Sequence, residues 1–480
     1  MKRVFDAAAL MIGDRRRLVA LTAIAVACVV GQEARSAEKD VRKTVESAET
    51  QITDRPTGHI LTNVNVWSPD GQWIVYDTRP DAAGEKFLGT TIEAVNVATR
   101  EVIELYQSKN GAHCGVATFG PRDGRVVFIL GPKNPTGDWQ YGASHRQGAV
   151  VDMRRPGVAM PLDARDVAPP FTPGALRGGT HVHVFDPQGE WVRFTYEDHV
   201  LAALDAKGVS TEHERNQRNV GVSVTGRPVV VSKAHPRNHD GAFTVLVTET
   251  TDRPRPGSDE ISRACEESWI GTNGYTRADG SRQERAIAFQ GTVTTASGEQ
   301  ISEVFVCNLP DDLTTAGSRP LEGTATTRPA PPRGVTQRRI THTADRKYPG
   351  VASPRHWLHS SADGSRIGFL MRDDAGVAQL WTVSPNGGEP IQVTRHSFGV
   401  GSAFSWSPRG EMVAYVADNS VYTTDVRTGE SIRRTLRTAD EIAPRPEACV
   451  FSPDGRRVAY VRPAVMGDEV FNQIFVVEID

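Results

Sequence analysis

The chain has 480 residues and a net charge of −3, with 38% hydrophobic and 24% charged residues. That balance is ordinary for a water-soluble protein, and the lack of a Lys/Arg patch argues against nucleic acid as a partner. No apolar run reaches the roughly 20 residues of a membrane-spanning helix.

Arg15-Arg16-Arg17 leads into the apolar run Leu18 to Gly31, and small residues follow. A charged region before a short apolar core is the pattern of a secretion signal. Residues 1–37 are therefore expected to be an export segment and the start of a linker, and the protein to be periplasmic or extracellular. The paired arginines resemble a twin-arginine signal. Ala25-Val26-Ala27-Cys28 would make Cys28 a lipid anchor, as the alternative to cleavage near Gly31 or Ala37. Residues 38–50 read as a polar linker.

From residue 51 onward one phrase recurs. Trp67-Ser68-Pro69-Asp70-Gly71, Trp406-Ser407-Pro408-Arg409-Gly410 and Phe451-Ser452-Pro453-Asp454-Gly455 each run into a β-branched, aromatic stretch. Pro suits the first corner of a turn and Gly a position with positive φ, so each copy predicts strand, turn, strand. Weaker copies end at Gly124, Gly189, Gly241 and Gly364. Gly364, Gly410 and Gly455 are 46 and 45 residues apart, the length of a four-stranded blade. The expected fold is all-β: a propeller of seven blades, with six or eight as alternatives, in a single domain spanning 51–480. Gln337–Thr341 and Ile391–Thr394 read as outer strands. Gln51–Thr53 has the same form, and is expected to complete the last blade and close the ring.

Within that frame, loops joining the second and third strands are expected to be long at Gly131–Gly148, Glu197–Arg218 and Thr250–Glu284. Trp139, Tyr141 and His145 stand in the first of them as a candidate ligand rim. Ser258 can cap a helix in which Ile261, Cys265 and Trp269 share a face, so a helical insertion is expected at about 250–285. Cys114, Cys265, Cys307 and Cys449 show no CxxC spacing and read as buried free thiols, with pairing in an exported protein the alternative.

Counting back from the turn glycines places His181, His356 and Glu447 at one level of the innermost strands, with His183 two residues after His181. Strict alternation would point His181 and His183 the same way. Neutral imidazoles with a carboxylate suit a divalent Mn, Zn or Fe ion, so His181, His183, His356 and Glu447 are candidate metal ligands. No GxSxG, HExxH or GxxxxGK[ST] motif is present.

The turn phrases resemble TolB-type propeller repeats. Asn63–Trp67, Arg177–His183, Pro256–Ile261 and Pro354–Trp357 resemble the uncharacterised YidR-like bacterial proteins, from about Ile52 to the C-terminus. That resemblance implies a TolB-like propeller and carries no activity. The export segment and the insert Thr272 to Arg285 depart from it. The histidine pattern is similar to that of oligogalacturonate lyases, propellers that hold Mn with histidines near the axis. That resemblance implies that Arg177 or Arg355 would neutralise a sugar carboxylate and that His235 would serve as general base, taking the proton α to it. Two functions are therefore expected. One is an exported, monomeric binding or scaffold module taking a protein or carbohydrate on its long-loop rim. The alternative is a metal-dependent lyase or hydrolase acting on acidic oligosaccharides at the channel mouth.

Overall fold

The computed structural model describes residues 49–81, 84–208 and 212–479. The expected export segment, Cys28 and the linker up to residue 48 lie outside the described residues.

Seven blade sheets follow one another along the chain, six of four strands and one of three. Blade 1 holds Gly58–Ile60, Trp73–Arg79, Thr91–Asn96 and Val102–Gln107. Blade 2 holds Cys114–Phe119, Arg125–Leu130, Gln147–Asp152 and Ala159–Pro161. Blade 3 holds Gly178–Phe185, Trp191–Asp198, Asn219–Val229 and Gly241–Leu246; blade 4 holds Ile261–Trp269, Arg285–Thr294, Gln300–Leu309 and Thr336–Arg339. The three strands of blade 5 are Ile367–Arg372, Ala378–Val383 and Ile391–Gln392. Blade 6 runs Ser405–Trp406, Met412–Ala417, Ser420–Asp425 and Ser431–Arg433. Blade 7 takes Cys449–Phe451, Arg457–Met466 and Glu469–Glu478 from the end of the chain, and Glu49–Gln51 from its beginning. Glu49 pairs with Val477 and Gln51 with Phe475, antiparallel, so the strand foreseen at residue 51 begins two residues earlier and covers the edge that blade 7 would otherwise expose.

The seven blades hold together because middle strands are apolar on both faces and a neighbouring blade covers each face. Apolar clusters sit at all seven junctions, from Ile92 with Phe128 between blades 1 and 2 to Trp67 with Val450 between blades 1 and 7. The repeated phrase builds the same turn each time. Asp70 Oδ1 accepts from Ser68 Oγ at 2.5 Å and from the Gln72 N–H at 3.0 Å, while Trp73 N–H donates to Ser68 Oγ at 2.9 Å. Gly71 takes φ 68°, which a residue with a Cβ adopts at a cost. In blade 3, Asp186 replaces the serine and accepts from the amides of Glu190 and Trp191. The aromatic before the turn stitches blades together: Trp67 Nε1–H donates to Val450 O, Trp269 to Val184 O and Trp406 to His359 O.

Three expectations are corrected. Residues 261–269 are not a helix but the inner strand of blade 4. Side chains four apart share a face in a strand as well as in a helix, so that spacing cannot separate the two periods. Gly241 is not an inner turn but the first residue of an outer strand. As a result, Thr250–Glu284 is not one loop between second and third strands. Blade 4 makes that connection in residues 295–299, and its long insertion, with the small hairpin Tyr275–Thr276 and Arg282–Gln283, replaces the inner turn. Only blades 2 and 3 carry the expected long loops, and the second contains a helix, His199–Asp205, capped by Asp198.

Candidate functional site

The registers show where the channel mouth lies. In blades 1, 2 and 3 the first residue of the inner strand pairs with the last of the second strand: Gly58 with Arg79, Cys114 with Leu130 and Gly178 with Asp198. Loops between second and third strands therefore open at the end where the inner strands begin. There the inner strands of blades 2, 3 and 4 carry a bulge at one level, with Val116 at φ 60°, Val182 at φ 59° and Glu266 at φ 50°. Left-handed backbone at a β-branched residue is unfavourable and concentrates at functional sites. Here it turns the Val116 amide onto Asp77 Oδ1 at 2.8 Å. It also gathers Val116, Ile129, Val182 and Trp357 into an apolar cluster, with Phe87 and Tyr141 against it.

Above that floor is a pocket of about 480 Å³. Its walls include Arg79, Arg146, Arg218 and Arg355, with His181, Tyr141 and Glu447. A second pocket of about 440 Å³ shares Arg218 and Arg355 and adds Arg263, Gln290 and His356. Three of the arginines are held by carboxylates: Arg79 by Asp77 at 2.6 Å, Arg218 by Glu197 at 2.7 Å and Arg355 by Glu266 at 2.8 Å. Arg146 has no such partner among the described residues. Its Nε is buried without an acceptor and its Nη1 reaches only the Tyr141 hydroxyl, at 3.5 Å. Burial first, and then the positive charge of Arg146, Arg218 and Arg355, hold His181 neutral well below the usual imidazole range. Glu447 lies against Arg445, 3.0 Å away.

The candidate ligands do not converge. Among the described residues no group of three or more His, Cys, Asp or Glu side chains is placed to hold a metal ion. His356 Nε2 accepts from the Leu370 amide at 3.0 Å and its Nδ1 donates to Pro354 O at 2.8 Å, which leaves no lone pair for a metal. His183 points away from His181 because the bulge between them interrupts the alternation. Its Nε2 meets Thr180 Oγ1 at 3.0 Å, and its ring packs near Phe194. These residues do not fit the manganese site expected from the resemblance.

Of the other candidates, Arg355 and Tyr141 line the mouth. Arg177 does not: it is fully buried on Asp198 at 2.7 Å and bonded to the carbonyls of Thr324 and Thr327, where it anchors the loop after Asp198. His235 is no base at the mouth, since it lies in the 230–240 loop, 6.3 Å from Trp139 between ring centroids. Trp139 is only 4% exposed and is the packed centre of its loop rather than a rim ligand. His145 stacks on it at 4.1 Å. The sequence reading passed over Arg79, Arg146 and Arg218. A signal was present, since Arg146 and Arg218 each stand one residue before the third strand of successive blades. Counting from the inner turns could not reach them.

Cys114, Cys265, Cys307 and Cys449, the cysteines among the described residues, are free and buried. Among the described residues no helix is long and apolar enough to cross a membrane.

A family model described as "Protein of unknown function (DUF3748)" matches residues 113–239. Among solved structures, an oligogalacturonate lyase in complex with manganese superposes with TM-score 0.53 at 9% identity, over 91% of this chain and 96% of that one, a likeness of fold alone. TolB from Acinetobacter baumannii aligns with TM-score 0.33 at 11% identity, over 86% of this chain and 81% of that one. The "Uncharacterized protein YidR" of Escherichia coli (strain K12) is 46% identical over 421 residues, 87% of this chain and 95% of that protein. A propeller of seven blades with this much of YidR in its sequence belongs to the YidR family.

Proposed function

We propose that the protein is a binding propeller that takes an acidic saccharide at the mouth of its channel. The observation that carries this reading is Arg146, a cation without a counter-ion among the described residues in a concave wall shared with three other arginines. Guanidinium forks recognise carboxylates through paired, charge-assisted hydrogen bonds. The carboxylates that hold Arg79 and Arg355 are themselves buried. Two pockets joined at Arg218 and Arg355 suit a ligand with more than one acidic group. Neutral His181 adds a hydrogen-bonding ring without adding charge.

The test is calorimetric titration with trigalacturonate, and with maltotriose as the uncharged control. Binding of the acidic trisaccharide alone is expected, weakening with salt, and Arg146→Gln should reduce it about tenfold or more. Equal affinity for the two saccharides would overturn the reading.

We further infer that it acts outside the cytoplasm, on the strength of Arg15–Arg17 and the apolar run after them. Fractionation with mass determination of the mature N-terminus tests this; a full-length cytoplasmic product would refute it.

A further inference from the structure

We propose that a second cavity, outside the channel mouth, binds a tetrahedral oxyanion, either free or borne on a larger molecule. The 131–147 loop of blade 2 and the 230–240 loop of blade 3 enclose a space of about 500 Å³ walled by Lys133, Trp139, Arg165, Arg237, Asn238 and His239. Among the described residues no carboxylate lines it.

Arg165 is 4% exposed, yet no carboxylate pairs with it among the described residues. Neutral oxygens hold it instead: Nε donates to Arg237 O at 3.0 Å, Nη1 to His145 O and Arg146 O at 3.2 and 3.4 Å, and Nη2 to Gln147 Oε1 at 3.2 Å. Arg237 is held in the same manner, by Lys133 O at 2.7 Å, Asn134 O at 2.9 Å and Thr136 Oγ1 at 3.4 Å. Both guanidinium groups lie over the Trp139 ring, at 5.4 and 5.5 Å. A guanidinium carries five N–H donors, so these contacts fix both cations in place and leave N–H groups and charge unused. Trp139 Nε1–H and both His239 ring nitrogens are buried without partners among the described residues.

The acids nearby do not neutralise the cavity. Asp240 is taken by Lys233 at 2.5 Å and Asp138 bonds Thr136 Oγ1 at 2.8 Å. Asp163, two residues from Arg165, offsets part of its charge, but it turns Oδ1 to the Gly148 amide and Thr180 and makes no ion pair with the guanidinium. Two fixed cations, a lysine and an indole donor around one space are the complement of an oxyanion.

Inorganic phosphate titrated into the full chain at constant ionic strength tests this. Saturable binding of one equivalent is expected. Arg237→Gln should weaken it about tenfold, and Lys133→Gln, an exposed position, should weaken it less without endangering the fold. Arg146→Gln at the channel mouth should leave it unchanged, so this site and the saccharide site fail or stand separately. Tighter binding of phosphate than of glucose 6-phosphate identifies the free anion, and the reverse order a phosphorylated ligand. A thermal shift no larger than that from chloride would overturn the proposal, as would full affinity in both the Arg237 and Lys133 variants.

Discussion

His145 Nε2 lies 2.9 Å from His199 Nδ1, so the two rings share one proton and cannot both be charged. Burial, then the neighbouring His145, lowers His199 to about 4, and burial also lowers His145. Trp139 packs on both rings, while Arg165, Arg237 and His235 add positive charge around them and Asp138 opposes it. Burial likewise lowers His59 and His356 to about 4 and His183 and His359 to about 3. Folding thus releases protons from these rings. Their contribution to stability is whole above pH 6.5 and is lost as the pH falls from there towards 4 and 3. Each fully buried ring costs about 1.4 kcal/mol per pH unit in that window. The thermal midpoint should fall steeply below pH 6.5, and less steeply in His199→Gln. A flat profile down to pH 4 would contradict this.

Trp139 is expected to matter to stability and not to ligand contact at the channel mouth. Trp139→Ala should cost about 3–5 kcal/mol, the usual loss for a buried large aromatic. Tyr141→Phe, which removes a hydroxyl whose contact with Arg146 is 3.5 Å long, should cost about 1 kcal/mol or less. Denaturant midpoints for the two variants check the contrast.

Arg193 and Glu267 form an ion pair of 2.9 Å between blades 3 and 4, with both side chains fully buried. Thr195 Oγ1 donates to the second Glu267 oxygen at 2.7 Å. Removing one partner strands a charge in the interior, so Arg193→Met should destabilise by about 3–5 kcal/mol. Arg193→Met with Glu267→Met should recover most of that loss, as a double-mutant cycle would show.

The thiols of Cys114, Cys265, Cys307 and Cys449 should be inert in the folded protein. Burial pushes Cys114 up to about 12 and raises the other three as well, and a thiol is a poor nucleophile. In a Cys28→Ser background, a thiol reagent should label none of the four natively and all four in denaturant.

What could be read from the residues was what depends on local chemistry. Ser-Pro-Asp-Gly makes its own turn from three side-chain hydrogen bonds, so each copy announces itself and the blades follow. Blade 4 hid because Trp269 leads into an insertion instead of that phrase, and because Ile261, Cys265 and Trp269 suit two periods at once. The His181–His183 pair failed for a non-local reason. The equivalent bulge in blade 2 is held by Asp77 of blade 1, and nothing in Thr180 to Val184 marks Val182 for left-handed backbone. Arg146 and Arg218 matter through where loops end, which only the strand registers disclose.

The joint in blade 7 also dictates an order of assembly. Glu49 meets Arg462, 413 residues further along the chain, and closing a loop of that length costs about 5 kcal/mol of chain entropy. During synthesis, residues 49–51 have no strand to pair with until residues 475–477 exist, so ring closure waits on nearly the whole polypeptide. A ribosome that stalls before that point leaves a product with two open sheet edges, the form most prone to stick to its own kind.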